Sequence, residues 1–240
     1  MSDTLTDPGD RLSGVQRYLK PIIYGGNDGI VTTFAIVAGF AGASAEGAAQ
    51  IGGLAVLVFG LANLFADAVS MGMGEFLSAR SKGQLYARER KKLCARLAVR
   101  DGEAAAGLEA LFRQRGLNAE DAAALAEAMA RAPDLSVELL LAERLGPSDP
   151  EADGPATNGL ITFAAFVGFG TIPLLPYILR EADALSTRLS LVATFAALAL
   201  LGLVRRRATG ETARRALGET LAVGGLCAGV AYAVGWLVGG

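Results

Sequence analysis

The chain has 240 residues, 52% of them hydrophobic, with 31 glycines, a mean hydropathy of +0.40 and a formal net charge of −2. That is too apolar for an ordinary soluble domain and too nearly neutral for bulk attraction to nucleic acid, so it points to an all-α membrane protein. The absence of histidine removes the commonest transition-metal ligand and the usual general base. Cys94 and Cys227 form no CxxC pair, which removes zinc-finger and thioredoxin readings.

Residues 1–20 begin "MSDTLTDPGDRLSG". The stretch is polar and acidic, unlike a signal peptide, and reads as a cytoplasmic tail. A bilayer span needs about 20 mostly apolar residues, and five stretches qualify. The first is 21–45, broken by Asp28. The second is 51–79, carrying Asp67 and Glu75, so residues 21–79 hold transmembrane helices one and two. Residues 80–153 are rich in Arg, Glu and Ala. Their stretches "LYARERKKLCARLAV", "GEAAAGLEALFRQRG", "NAEDAAALAEAMARA" and "LSVELLLAERLG" read as short amphipathic helices of a cytoplasmic domain. Breaks are expected at Gly102, Gly116, Pro133, Gly146 and Pro147. Residues 154–240 hold the other three spans. The third, 157–179, should kink or end at Pro173 and Pro176, freeing carbonyls there, with Tyr177 as an interfacial anchor. The fourth is 184–204, with Arg188 at its start. The fifth, 220–240, has Gly225 and Gly229 in small-xxx-small spacing, Trp236 near an interface, and Cys227 as a buried apolar residue.

Orientation follows from Lys and Arg. Of the 22 in the chain, all but Arg180 and Arg188 lie in the tail, the helical domain and the "RRRATGETARR" loop. The reading is N-terminus in, C-terminus out, with the helical domain cytoplasmic.

A carboxylate at the centre of a bilayer costs about 3 kcal/mol even on lenient insertion scales, so it should face protein or water and serve a function. Asp28, Asp67 and Glu75 are three such groups. On a helix, Asn63, Asp67, Met71 and Glu75 stand four apart and share one face, with Ser70 and Met73 nearby. That face offers an amide, two carboxylates and a thioether. Oxygen ligands suit hard divalent cations, and sulfur adds preference for softer first-row metals. Blander readings stay open: Asp28 as a helix cap or interfacial residue, Glu75 as interfacial, Met71 as core filler. Small residues in "YGGNDG", "AGFAGAS" and "SMGMGEF" allow close helix approach. Asp28 then belongs to a polar pathway with the Asp67 stripe.

The stretches "YGGNDGIVTTFAIVAGFAGAS", "GLANLFADAVSMGMGEFLSARS", "ITFAAFVGFGTIPLLPYIL" and "AYAVGWLV" resemble the vacuolar iron transporter family, bacterial members of which are often labelled iron or manganese transporters. The resemblance implies five transmembrane helices, a homodimer with its pathway between protomers, and a cytoplasmic metal-binding helical domain inserted between the second and third spans. It implies export of iron(II), and often manganese(II), from the cytosol in exchange for protons. Asp28 matches the first-span acid implicated in metal binding and proton coupling, and Met71 the second-span methionine on the path. Asn63 stands where studied eukaryotic members carry a glutamate, and Asp67, one turn on, is the candidate substitute. In the helical domain, Glu89 matches one acid of the first helix, but Lys91 and Lys92 occupy a region where further acids are expected. In "ELLLAERLG", Glu143 is retained with Glu138 close by, while Leu139 and Leu140 replace methionines. A solvated charged helix is the competing reading there.

The resulting expectation is a dimeric, proton-coupled exporter of Fe2+ or Mn2+ in a bacterial plasma membrane. The metal is cargo, and no permanently bound cofactor is expected. Its partners are a second copy, divalent metal ions, protons and the lipid bilayer, with no nucleic acid. Burial favours a protonated acid and a bound divalent cation favours an ionised one, so metal and proton compete for the same group. Two alternatives remain. A passive divalent-cation conduit would move metal without protons. A non-transporting membrane anchor or regulatory protein would tolerate loss of Asp28 and Asp67. An enzyme is not expected, since no nucleophile arrangement or phosphate-binding glycine loop is present.

Overall fold

The computed structural model describes residues 14–44, 53–99, 103–146, 154–180 and 183–239. Its elements are α1 (Gly14–Arg17), α2 (Leu19–Ser44), α3 (Gly53–Val99), α4 (Glu103–Gln114), α5 (Ala119–Ala130), α6 (Pro133–Leu145), α7 (Pro155–Gly170), a 3-10 turn (Ile172–Leu174), α8 (Leu175–Leu179), α9 (Ala184–Thr209) and α10 (Ala213–Gly239). No strand occurs among the described residues. Two compact units emerge: Met1–Phe76 with Ala156–Gly240, and Leu77–Pro155.

Among the described residues, four segments are long and apolar enough to cross a membrane: Gly53–Leu97, Pro155–Leu179, Leu185–Thr209 and Ala213–Val238. The first expected span, 21–45, is not among them; it coincides with α2, which is 26 residues long but less apolar. Lys20, Asn27, Asp28 and its glycines dilute its hydropathy. The expected ends of that span at Ala45 and of the second at Ile51 lie outside the described residues, as do the breaks at Gly102 and Pro147.

In the first unit, α2 lies between α10, α9 and the α7 side of the bundle. Phe34, Val37 and Ala38 of α2 share a core with Val56, Leu64 and Ala68 of α3 and Phe166 of α7. Ile30 packs separately against Ala197, Leu198 and Leu201 of α9. Burying such side chains contributes roughly 1.5–3 kcal/mol each in water. Between helices already in lipid the gain is packing, which favours small residues at the contact. The close-packing glycines of α10 are Gly224, against Leu198, and Gly235, against the Gly39 carbonyl. A Cβ at the expected pair, Gly225 and Gly229, would meet no atom within 4 Å. The spacing rule found small residues but not the side of the helix they occupy.

The proline break forms where expected. α7 stops at Gly170, the chain makes one 3-10 turn through Pro173, and α8 restarts at Leu175. Proline cannot donate to the helical ladder, so an upstream carbonyl loses its partner. The Pro173 carbonyl is not left open: the buried Ser190 hydroxyl of α9 donates to it at 2.6 Å. Thr194 donates to the Ser190 carbonyl at 2.7 Å, and Thr171 to the Val167 carbonyl at 2.6 Å. Tyr177 departs from its expected role as an interfacial anchor. The break turns it inward, where it is buried and its hydroxyl meets Thr187 Oγ1 at 2.9 Å. Ser190→Ala leaves a buried carbonyl unsatisfied and should destabilise the folded chain by about 1–3 kcal/mol. A lowered thermal midpoint in detergent checks it, and an unchanged midpoint would remove Ser190 as the support of the break.

α9 begins on Asp183, whose carboxylate accepts from the Ser186 amide at 2.8 Å and the Ser186 hydroxyl at 3.0 Å. Those bonds hold the Asp183 carboxyl below the usual carboxylate range. The helix ends on Gly210 in the left-handed region, φ 71°, where glycine carries no Cβ penalty.

The distal part of α3 belongs to the second unit with α4, α5 and α6. The separate first soluble helix expected at "LYARERKKLCARLAV" is absent, because α3 continues unbroken to Val99. Residues 80–99 hold no proline and are mainly Arg, Lys, Leu, Ala and Glu, all good helix formers. Leu93 packs with Val137 and Leu141 of α6, and Arg90 bridges to Asp134 at 3.0 Å. Asn118 caps α5 by accepting from the Asp121 amide at 2.8 Å. Gly116 and Gly146, at φ 100° and 88°, make the expected breaks, and Pro133 starts α6.

Candidate functional site

The site is built on the first turns of α2. Gly25, Gly26 and Gly29 form its buried side: a Cβ at Gly25 would lie 2.6 Å from the Thr162 carbonyl oxygen, and one at Gly29 would strike the Phe166 backbone. A Cβ at Gly26 would instead press on the side chains of Phe169 on α7 and Leu201 on α9. These contacts bring the backbone of α2 against α7. Asp28, on the flank of that glycine face, is half-buried. It accepts a hydrogen bond from Thr32, one turn on, and stands within electrostatic range of Asp67 on α3.

Asn63, Asp67, Met71 and Glu75 do lie on one continuous helix at four-residue intervals. Asn63 is exposed, Asp67 and Met71 are half-buried, and Met71 packs against the core shared by α2, α3 and α7. Glu75 is 21% exposed, and the Lys20 amine of α2 lies 3.9 Å from it. Ser70 and Met73 beside the stripe are exposed. Asp28 and Asp67 thus lie within electrostatic range of each other, and Lys20 of α2 faces Glu75 at the lower end of the stripe. Thr32 and Lys20 were not among the residues expected from sequence. Thr32 was readable as the i+4 neighbour of Asp28, whereas the Lys20–Glu75 pair depends on how α2 and α3 pack.

Two of the three expected acids of the helical unit are paired with cations. Glu89 takes Lys92 at 2.6 Å, and Glu143 takes Arg115 at 2.6 Å. Glu138 is exposed. Among the described residues, no three His, Cys, Asp or Glu side chains gather as a metal-holding group. Chemically, the arrangement around Asp28 offers two carboxylates, with amide, hydroxyl and thioether groups on the same two helices. Such mixed oxygen and sulfur donors suit a divalent first-row metal.

Comparison with known proteins gives a consistent answer. The profile of the VIT family matches residues 19–236. The chain is 30% identical over 215 residues to vacuolar iron transporter 1 of Oryza sativa subsp. japonica, covering 89% of this chain and 82% of that protein. Vacuolar iron transporter 2 of the same plant is 32% identical, with 89% and 85% covered. The vacuolar iron transporter of Toxoplasma gondii is 31% identical, with 92% and 74% covered. These relatives are transporters by name, in keeping with the expectation that the chain is not an enzyme. The apolar helices and the matches together make this a membrane protein, and the chain belongs to the VIT family.

Proposed function

We propose that the chain transports divalent iron, manganese or both across a membrane, out of the cytosol and in exchange for protons. The observation that carries this is that two carboxylates, Asp28 and Asp67, stand within electrostatic range of each other on adjacent helices of an apolar bundle. Such a pair has little structural value in lipid, where each ionised acid is costly. It has clear value as a binding point that exchanges a divalent cation for protons. Asp28 is the coupling group and Met71 biases the site toward first-row transition metals over calcium and magnesium. Asn63, Asp67 and Glu75 complete the polar stripe. The iron transporter relatives support the cargo.

In this reading α2 is a fifth span, its acid shielded by the packing of α3 and α7. The exposed flank of the stripe, with Asn63, Ser70 and Met73, is covered by a second copy, which completes the ligand set from the partner's helices. The Lys and Arg distribution supports a cytoplasmic N-terminus and helical unit, roughly 80–153, and the resemblance to bacterial members supports a bacterial plasma membrane. Glu89 and Glu143 take metal only if Lys92 and Arg115 release them, with the exposed Glu138 as the third acid.

The test is flux into proteoliposomes that hold a pH-sensitive dye, with iron(II), manganese(II) and calcium compared. Iron or manganese entry with opposite proton flow supports the proposal. Metal entry with no pH change replaces it with a passive conduit, and no metal movement by folded protein leaves a non-transporting membrane protein.

A further inference from the structure

Lys20, Tyr24 and Asp28 stand four apart on α2, and Asp67, Met71 and Glu75 stand four apart on α3. Asp28 lies within electrostatic range of Asp67. The Lys20 amine lies 3.9 Å from the Glu75 carboxylate. On both helices the second group is eight residues from the first, which is about 12 Å along the axis. Two rungs result. One is of like charge, Asp28 with Asp67. The other is of opposite charge, Lys20 with Glu75, and it stands at the first turn of α2.

The opposite-charge rung is not built as a structural clamp. Its amine is 72% exposed and its carboxylate 21% exposed. At 3.9 Å the contact is loose, whereas Arg205 holds Glu219 at 2.7 Å and Arg115 holds Glu143 at 2.6 Å. Exposed pairs add little to stability. Lysine carries its charge on a flexible four-carbon stem, so the amine can leave without moving the backbone. On the reading proposed above, cargo enters from the side where α2 begins. Glu75 is then the first of the three acids that an incoming cation meets, and Lys20 is already on it.

We infer that Lys20 is a tethered counter-cation that competes with the incoming metal for Glu75. This rests on the metal-binding reading of the stripe and sets how much free metal the stripe needs. A monovalent ion that displaces the amine replaces one unit charge by another and gains nothing. A divalent ion doubles the Coulomb attraction to the carboxylate. It sends the amine out to solvent and moves on toward Met71, Asp67 and Asp28. Lys20 is thus a specificity-determining residue and not a ligand, since an ammonium has three donors and no acceptor.

The experiment measures manganese(II) binding to the full chain in mild detergent, with free manganese counted by electron paramagnetic resonance. Ionic strength is held near about 0.15 M, where the Debye length is about 8 Å and distant charges are screened. Lys20→Gln should tighten binding by up to about fivefold, the range open to an exposed pair. Lys20→Arg keeps the charge and should bind as wild type does. In a Glu75→Gln background, Lys20→Gln should change nothing, because the amine has no carboxylate to leave. Lys20→Gln should also let potassium compete with manganese when it replaces a bulky organic cation at constant ionic strength. Unchanged affinity in Lys20→Gln overturns the proposal. So does an equal gain in the native and Glu75→Gln backgrounds, which would make Lys20 a surface charge acting at a distance. Binding needs no proton flow, so absent flux in proteoliposomes would remove the transport reading while this measurement still decides the role of Lys20. Wild type that binds no manganese overturns both.

Discussion

Asp28→Asn should abolish metal-driven proton flux while leaving a folded, membrane-inserted protein. The substitution keeps the shape of the side chain and an oxygen able to accept from Thr32, which hydrogen-bonds Asp28 in the native chain. It removes only the charge and the proton. An amide cannot release a proton when a cation arrives, so coupling is lost even where some metal still binds. Interactions with charged groups are worth about 1.5–3 kcal/mol, so metal affinity should fall roughly 10- to 100-fold. Asp67→Asn should weaken metal binding but keep proton exchange, because Asp28 remains. Glu75→Gln should have the smallest effect of the three, since Glu75 already faces the Lys20 amine. The readout is pH change inside manganese-loaded and manganese-free proteoliposomes, beside metal uptake counted directly. Wild-type coupling in Asp28→Asn would remove this residue from the mechanism and move attention to Asp67.

The parts of this arrangement legible in sequence are the local ones. Four-residue spacing placed Asn63, Asp67, Met71 and Glu75 on one helix without any tertiary knowledge, because the α-helix repeats every 3.6 residues. The proline break was equally local, since the missing N–H of Pro173 and Pro176 acts wherever the helix sits. What failed depended on neighbours. The charge change at Arg80 marks a change of surroundings, not of backbone, so composition suggests a helix boundary where α3 runs on for 47 residues. Tyr177 has the composition of an interfacial anchor, yet the break beside it rotates the ring into the core. The nearness of Asp28 to Asp67 was expected from chemistry, but only the packing of α2 on α3 and α7 supplies it. The Lys20–Glu75 contact has no sequence signal at all.

Gly235→Ala should be among the most damaging single-methyl changes in the first unit, and Gly229→Ala on the same helix should be harmless. A Cβ at Gly235 would strike the backbone carbonyl of Gly39 on α2. A side chain in the way can rotate aside, but a carbonyl in a hydrogen-bonded helix moves only with the helix. The α2–α10 contact would have to open, and α2 is the helix whose flank carries Asp28. Overpacking of this kind costs about 1–3 kcal/mol where neighbours can adjust, and the upper end applies to backbone. A Cβ at Gly229 meets nothing within 4 Å, so alanine there should gain up to about 1 kcal/mol of helix propensity. Gly39→Ala separates collision from glycine loss. Its Cβ would lie 3.9 Å from the Ala231 carbonyl oxygen, an ordinary contact, so it should be tolerated although it sits opposite Gly235. Thermal unfolding of the three variants in detergent, followed by size-exclusion chromatography, ranks them. The expected order is a large drop for Gly235→Ala, little change for Gly39→Ala and none or a rise for Gly229→Ala. Equal loss at Gly229 and Gly235 would mean that glycine itself, and not the α2–α10 backbone contact, sets the stability of this helix.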